Sequence, residues 1–171
     1  MAAIVRLAKQ TDSDGMLRLS VAARIKAYEP IIKGESHDAF LKKHIVTAHR
    51  LGNFSASLQK YLHQEDAFTA YVVEEDGEVR GYIKISISPD SLYISNLYVD
   101  PLAQGNGYGS SLIEETIRLA KGRTIILDVV EQNLSALRVY AKYGFKQVEA
   151  RRKTFHGLPV IRLKRTSTPD K

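Results

Sequence analysis

Three alternating glycines and an asparagine–tyrosine pair are the residues of this chain best placed to do chemistry. Gly105, Gly107 and Gly109 fall between a strand-like stretch, LYISNLYV, and an amphipathic one, SLIEETIRLAK. Lacking a Cβ, such glycines let backbone N–H groups approach an anion closely. A helix opening near Gly109 would aim its own unpaired N–H groups and the positive end of its dipole at the same point. A pyrophosphate is the guest that suits this arrangement. The spacing is not G-x-G-x-x-G, and no Gly-Lys-Ser/Thr follows as in a P-loop, so a plain structural turn accounts for the glycines equally well. Downstream, Asn133 and Tyr140 share a face of the helical stretch NLSALRVYAKY, separated by about 10.5 Å along its axis. A side-chain amide and a phenol placed so could line one groove. The plainer reading is a helix cap and an amphipathic core residue.

The elements that must position these residues can be taken in order. Ile4 to Leu7 is a short apolar run suited to a first strand, and Thr11, Asp12 and Ser13 offer N-caps for a helix through about Tyr28. Met16, Leu17, Val21, Ala23, Ala27 and Tyr28 recur at helical spacing in it, and Pro30 marks its end. Further helices are expected at about 36–50 and 54–63, broken at Gly52 and Asn53. From Ala67 the period becomes two. FTAYVVEEDGEVRGYIKISIS reads as two strands joined at Asp76-Gly77, a dipeptide suited to a tight hairpin. Ile83, Ile85 and Ile87 alternate with Lys84, Ser86 and Ser88, which predicts one buried face. Leu92 and Ile94 stand at even positions but Leu97 and Val99 at odd ones, so either a β-bulge near Ser95 and Asn96 switches the apolar face or the strand is buried on both sides. TIILDVV (124–130) predicts a central strand, 133–143 a helix stopped by Gly144, and 146–155 and 158–165 a final strand pair. Strands and helices in this order predict an α/β sandwich with a mixed sheet.

Length and composition set the bounds. The 171 residues, 44% hydrophobic and 26% charged, suit one domain with a full core. The division expected is 1–66 as an N-terminal strand with helices, 67–165 as the core and 166–171 as a tail. No apolar run reaches the roughly 20 residues that cross a bilayer, and the N-terminus does not read as a signal peptide, so no membrane association and a cytoplasmic location are expected. The chain has no cysteine, which excludes disulfides, thiolate metal sites and a cysteine nucleophile. A net charge of +6 raises nucleic acid as a partner, but no nucleic-acid motif accompanies it; surplus charge more often serves solubility or attracts small anions. No H-E-x-x-H occurs, and His44 and His49 are off the spacing of two ligands on one helical face, so no metal is expected.

The two stretches together resemble the GNAT superfamily of acyl-CoA-dependent N-acetyltransferases. Gln104-Gly105-Asn106-Gly107-Tyr108-Gly109, preceded by LYVDP, is similar to that family's CoA-binding motif Q/R-x-x-G-x-G/A. Asn133 followed by A-x-x-x-Y-x-K-x-G-F over Ala136 to Phe145 is similar to the motif that comes next. The resemblance, over about 67–165, implies a three-layer α/β sandwich with a mostly antiparallel mixed sheet and a splayed, bulged central strand. It implies acetyl-CoA as co-substrate: Gln104 to Ser110 on the pyrophosphate, the strand edge at Leu97, Tyr98 and Val99 on the pantetheine arm, and Asn133 bonded to pantetheine with Ser135 and Ala136 nearby. Tyr140 would protonate the departing CoA thiolate, which a leaving group of that basicity needs. The acceptor would be a small-molecule or peptide amine, attacked directly in a ternary complex.

One departure stands out. Many members carry a glutamate on the bulged strand to deprotonate the amine; here Tyr93, Ser95 and Asn96 occupy that place and LYISNLYV holds no carboxylate. Glu74, Glu75, Asp128, His37, His44 or a water chain remain as candidate bases. The same departure supports a rival reading, a non-catalytic acyl-CoA-binding regulatory module. An exposed C-terminal strand pair could also support a homodimer.

Overall fold

The computed structural model describes residues 2–32, 34, 36–40, 42, 68–155 and 157–166. The strands are β1 (Ile4–Leu7), β2 (Phe68–Glu75), β3 (Glu78–Ile87), β4 (Ser91–Val99), β5 (Thr124–Val130), β6 (Lys146–Phe155) and β7 (Leu158–Arg165). The helices are α1 (Ser13–Tyr28), a short α2 (His37–Phe40), α3 (Tyr108–Ala120) and α4 (Leu134–Lys142). Of the helix expected at 36–50 only its first turn falls among the described residues; the one expected at 54–63 lies outside them.

The strands form one seven-stranded sheet in the order β1-β2-β3-β4-β5-β7-β6. Neighbours are antiparallel except β4 and β5, which run parallel. The β2–β3 hairpin turns on Asp76 and Gly77, with φ of 53° and 80°. Two left-handed residues in a row make the turn whose twist matches that of the strands, which is why Asp-Gly serves there.

Helices cover both faces. On one, Leu112 and Ile113 of α3 are fully buried against Ile83, Ile85, Leu92, Ile125 and Leu127 of the sheet. Each such side chain contributes about 1.5–3 kcal/mol by leaving water. On the other, Met16 and Leu19 of α1 pack on Ala70, Val72 and Tyr82. The buried stripe of α1 is Met16, Leu19, Ser20 and Ala23. This corrects the face expected from sequence: Leu17, Val21, Ala27 and Tyr28 are only partly buried. Asp12 does not cap α1 with its side chain either; its carboxylate is held by Arg6 and by the Lys9 N–H. The single buried face expected of β3 is likewise corrected. The second side is covered as well: Tyr82 packs with Met16 and Leu19 of α1, and Lys84 is 3% exposed.

Strand β4 carries the irregularity that shapes the site. Ile85 pairs with Ile94 but Lys84 with Asn96, so Ser95 is an extra residue with no counterpart on β3. This is the bulge, and it decides between the two readings of the strand. With one residue inserted, Leu92, Ile94, Leu97 and Val99 all turn toward the α3 side, where they join one core.

Candidate active site

Parallel pairing of β4 with β5 runs from Ser91↔Thr124 to Ile94↔Leu127 and stops there, at the residue before the bulge. Beyond Ile94 the edge of β4 that faces β5, including Leu97, Tyr98 and Val99, has no strand partner in that ladder. The sheet therefore opens as a fork.

At the far end of β4 lies the glycine loop. Gly105 and Gly107 have φ of 96° and 86°, and a Cβ at either would meet nothing within 4 Å. Gly107 is the N-cap of α3, and its carbonyl accepts the Ser111 N–H at 2.9 Å. The N–H groups of Tyr108, Gly109 and Ser110 thus belong to a first turn that has no carbonyl behind it to bond. The start of α3 packs on β4 at Gly109, where a Cβ would lie 3.5 Å from Val99 Cγ2, an ordinary contact distance. The Asn106 amide donates to the Ala103 carbonyl at 3.2 Å and shapes the loop, while Gln104 is exposed. Tyr108 is turned inward, its hydroxyl donating to Glu75 at 2.5 Å, so only its main chain is on offer. Exposed N–H groups at a helix N-terminus beside glycines of this backbone form fit a pyrophosphate.

A cleft of about 270 Å³ opens on the α1 side of the fork. Tyr93, Ser95, Asn96 and Tyr98 of β4 form one wall and Asp128 and Val130 of β5 the other; Tyr28, Thr154, Phe155 and Val160 close it. Tyr28 and Phe155 stack tilted, ring centroids 5.5 Å apart, and the Arg24 guanidinium lies 5.6 Å over the Phe155 ring. Asp128 receives Arg162 on both oxygens, Nε to Oδ1 at 2.7 Å and Nη2 to Oδ2 at 2.9 Å, and the Tyr93 hydroxyl donates to Oδ2 at 3.1 Å. Burial, then the charge of Asp128, pushes the Tyr93 phenol above its ordinary range.

Helix α4 begins at the open end of the fork. Asn133 caps it, Oδ1 accepting the Ala136 N–H at 3.2 Å, and Ser135 follows on the exposed side. Burial, then the neighbouring Tyr98, raises Tyr28 to about 12 against the pull of Arg24 and Asn133. Tyr140 is 7% exposed and edge-on to Phe145 at 5.5 Å. Burial, then the phenols of Tyr28 and Tyr98, raises it further, so Tyr140 stays protonated at neutral pH and can act as an acid but not as a base.

The structure thus brings the glycine loop, the edge of β4, Asn133 and Tyr140 around one fork. It separates Glu74 and Glu75, two of the candidate bases, from it. Glu74 is bound by Arg6 (Nε to Oε2, 2.7 Å) and Glu75 by Tyr108, and neither lines the cleft. His37 opens α2, and His44 lies outside the described residues. Among the described residues, Asp128 alone of these lines the cleft. Sequence reading missed Tyr28, Phe155 and Arg162. Arg162 left a faint trace, a charge alternating with Ile161 and Leu163 in a strand; the other two left none. Among the described residues no group of three or more His, Cys, Asp or Glu side chains could hold a metal ion, and no helix is long and apolar enough to cross a membrane.

Residues 37–145, which include the glycine loop, the fork and α4, match the acetyltransferase (GNAT) family. The chain belongs to that family. Over 83 residues, 46% of this chain and 52% of the other, it is 34% identical to the N-alpha-acetyltransferase RimI of Mycobacterium tuberculosis. Over 86 residues, 48% of this chain and 57% of the other, it is 31% identical to a putative [ribosomal protein bS18]-alanine N-acetyltransferase of Bacillus subtilis. This GNAT chain therefore spans about half the length of the curated relatives it matches. The PaiA N-acetyltransferase of Thermoplasma acidophilum, solved in complex with coenzyme A, superposes with a TM-score of 0.74 at 17% identity, covering 98% of this chain and 100% of that one. At that identity the likeness concerns the GNAT fold: a mixed, mostly antiparallel α/β sheet with helices on its faces.

Proposed function

We propose that the protein transfers an acetyl group from acetyl-CoA to the α-amine of a peptide, by direct attack in a ternary complex. The fork carries this reading: the parallel β4–β5 ladder ends at Ile94↔Leu127, with the glycine loop at one side and Tyr140 at the other. Acetyl-CoA supplies a thioester whose C–S bond breaks as the amine nitrogen bonds to the acetyl carbon. The loop N–H groups from Gln104 to Ser110 hold the pyrophosphate, and the free edge of β4 takes the pantetheine arm as an added strand. Tyr140 gives its proton to the leaving sulfur.

The acceptor follows from what the cleft lacks among the described residues. Its carboxylate, Asp128, is already ion-paired with Arg162, which weakens it as a base and cancels its attraction for a polycation. An acceptor bound there must bring its own neutral amine. At pH 7.5 about a third of a peptide α-amine is neutral, but only about 0.1% of a lysine side chain. The M. tuberculosis relative is named for N-α-acetylation, which agrees with this choice.

Incubation with acetyl-CoA and a panel of N-terminal peptides, lysine peptides, polyamines and small amines, followed by free thiol release, tests the reading. Thiol release with unblocked peptides, absent with their N-blocked forms, is expected. A second reading, a non-catalytic acyl-CoA-binding module, draws on the missing strand carboxylate; CoA binding without thiol release above hydrolysis for any amine would establish it instead.

A further inference from the structure

We infer that the cleft on the α1 side of the fork selects acceptors by their first side chain, favouring a large apolar one such as leucine, methionine or phenylalanine. The inference rests on the transfer to a peptide α-amine proposed above and adds the class of peptide to it.

The α-amine of an acceptor must reach the fork where the β4–β5 ladder has ended, beyond Ile94↔Leu127. The cleft opens beside that point, with Tyr93, Ser95 and Asn96 of the bulged stretch in one wall. The side chain nearest the amine is therefore the one that meets it. At about 270 Å³ the cleft falls just below the roughly 300–1,000 Å³ of sites that hold drug-sized ligands. That suits one large side chain rather than a stretch of peptide.

What the walls present is mostly carbon. Tyr28 and Phe155 form one aromatic pair, ring centroids 5.5 Å apart. Tyr98 is steadied by Tyr82 at 5.6 Å, and Val130 and Val160 add branched aliphatic surface. The Tyr93 hydroxyl is turned onto Asp128 at 3.1 Å. Charge is answered within the protein, since Asp128 holds Arg162 on both carboxylate oxygens, at 2.7 and 2.9 Å. A lysine or arginine side chain entering the cleft would find that carboxylate already matched. It would also approach the Arg24 guanidinium, which lies 5.6 Å from the centroid of the Phe155 ring. An acidic side chain would leave water for aromatic walls that include Asp128. An apolar one has no such cost and gains with the area it buries.

The test is a series of peptides identical except for a first residue of alanine, leucine, phenylalanine, lysine or glutamate. Acetyl transfer by the full chain is read as kcat/KM from thiol release. Leucine and phenylalanine should exceed alanine by at least about 10-fold, the discrimination that one methylene can give in an apolar pocket. Lysine and glutamate should fall at or below alanine. Val160→Phe fills the cleft and should lower the phenylalanine-to-alanine ratio by at least about 10-fold. Ratios between peptides on one enzyme cancel any loss of folded protein, and the wild-type ratios decide even where the variant does not fold. Equal kcat/KM for alanine and phenylalanine, a preference for lysine or glutamate, or an unchanged ratio in Val160→Phe overturns the inference. Thiol release with none of the peptides overturns the proposed function and this selectivity with it. Release that disregards the first residue overturns the selectivity alone.

Discussion

Arg162 and Asp128 face each other across the β5–β7 ladder, paired in register, with both guanidinium–carboxylate contacts under 3 Å: 2.7 and 2.9 Å. Their side chains are 25% and 16% exposed, so the pair is neither a surface ion pair of small worth nor a dry one. The bidentate geometry makes Asp128 an anchor at the base of the fork and a poor acceptor for an amine proton. Asp128→Asn should then retain at least about a tenth of wild-type turnover, because the loss of a true general base costs about 10²- to 10⁴-fold. In urea unfolding each single variant, Asp128→Asn or Arg162→Met, should lose about 1–3 kcal/mol, since each leaves a partly buried polar partner unmet. The double variant should lose less than the sum. A turnover loss beyond a hundredfold in Asp128→Asn would make Asp128 the base.

Tyr140 is the group the fold equips as acid. Its burial and its phenolic neighbours keep the proton on at neutral pH, when the leaving thiolate needs it. Tyr140→Phe keeps the edge-on packing against Phe145 and removes only the donor. Turnover should fall by about 10²- to 10⁴-fold while CoA affinity stays within about twofold. Stopped-flow or steady-state thiol release, paired with calorimetry, gives both numbers. Unchanged turnover from pH 6 to 9 would remove Tyr140 from the chemistry.

Local patterns in the sequence foretold the bulge, the glycine loop and the cap of α4 well and the lining of the cleft poorly, for a physical reason. The bulge at Ser95 showed as a change of parity between Leu92 and Ile94 on one hand and Leu97 and Val99 on the other, because side-chain direction in a strand has a strict period of two. The glycine loop and the Asn133 cap are likewise local, each complete within a few residues. Lys84 misled because a lysine alternating with isoleucines reads as solvent-facing, whereas both faces of β3 are covered in the fold. The stripe on α1 misled for the converse reason: Ser20 is buried by where the helix sits, not by its own polarity. Tyr28 and Phe155 meet only after the whole sheet has formed, so no window of sequence contains their contact.

The burial of Lys84 should be visible as pH-dependent stability. Desolvation lowers its ammonium from 10.5 to about 8. Below about pH 8 both folded and unfolded chains carry the proton and the full cost of burying it, roughly 3 kcal/mol, applies. Between about 8 and 10.5 the unfolded chain holds the proton and the folded chain does not, so stability rises with pH. Tyr82 and Tyr140 reverse this above about pH 10: their folded phenols are raised, so the unfolded chain ionises first and stability falls. Urea unfolding should therefore show a maximum between about pH 9 and 10. In Lys84→Met the rise from pH 8 should disappear while the fall above 10 persists. A wild-type profile flat from pH 7.5 to 9.5 would contradict the buried ammonium.

Ser95 should matter by its presence more than by its side chain. As the extra residue on β4 it lets Leu92, Ile94, Leu97 and Val99 share one face. Deleting it would restore the plain alternation and turn Leu97 and Val99 toward the cleft, with Asn96 and Tyr98 driven into the α3 core. Removing two partly buried aliphatic side chains from the core costs part of the roughly 1.5–3 kcal/mol that each full burial is worth, and burying an amide and a phenol there without partners adds about 1–3 kcal/mol each. The deletion should thus lose about 4 kcal/mol or more, enough to unfold a chain of ordinary stability. Ser95→Ala keeps the residue count, and with it the bulge, so its loss should stay within about 1 kcal/mol. Circular dichroism melts of the two variants give the comparison directly. If the deletion melts like Ser95→Ala, the parity of the strand is being corrected elsewhere, and the bulge is not what opens the fork.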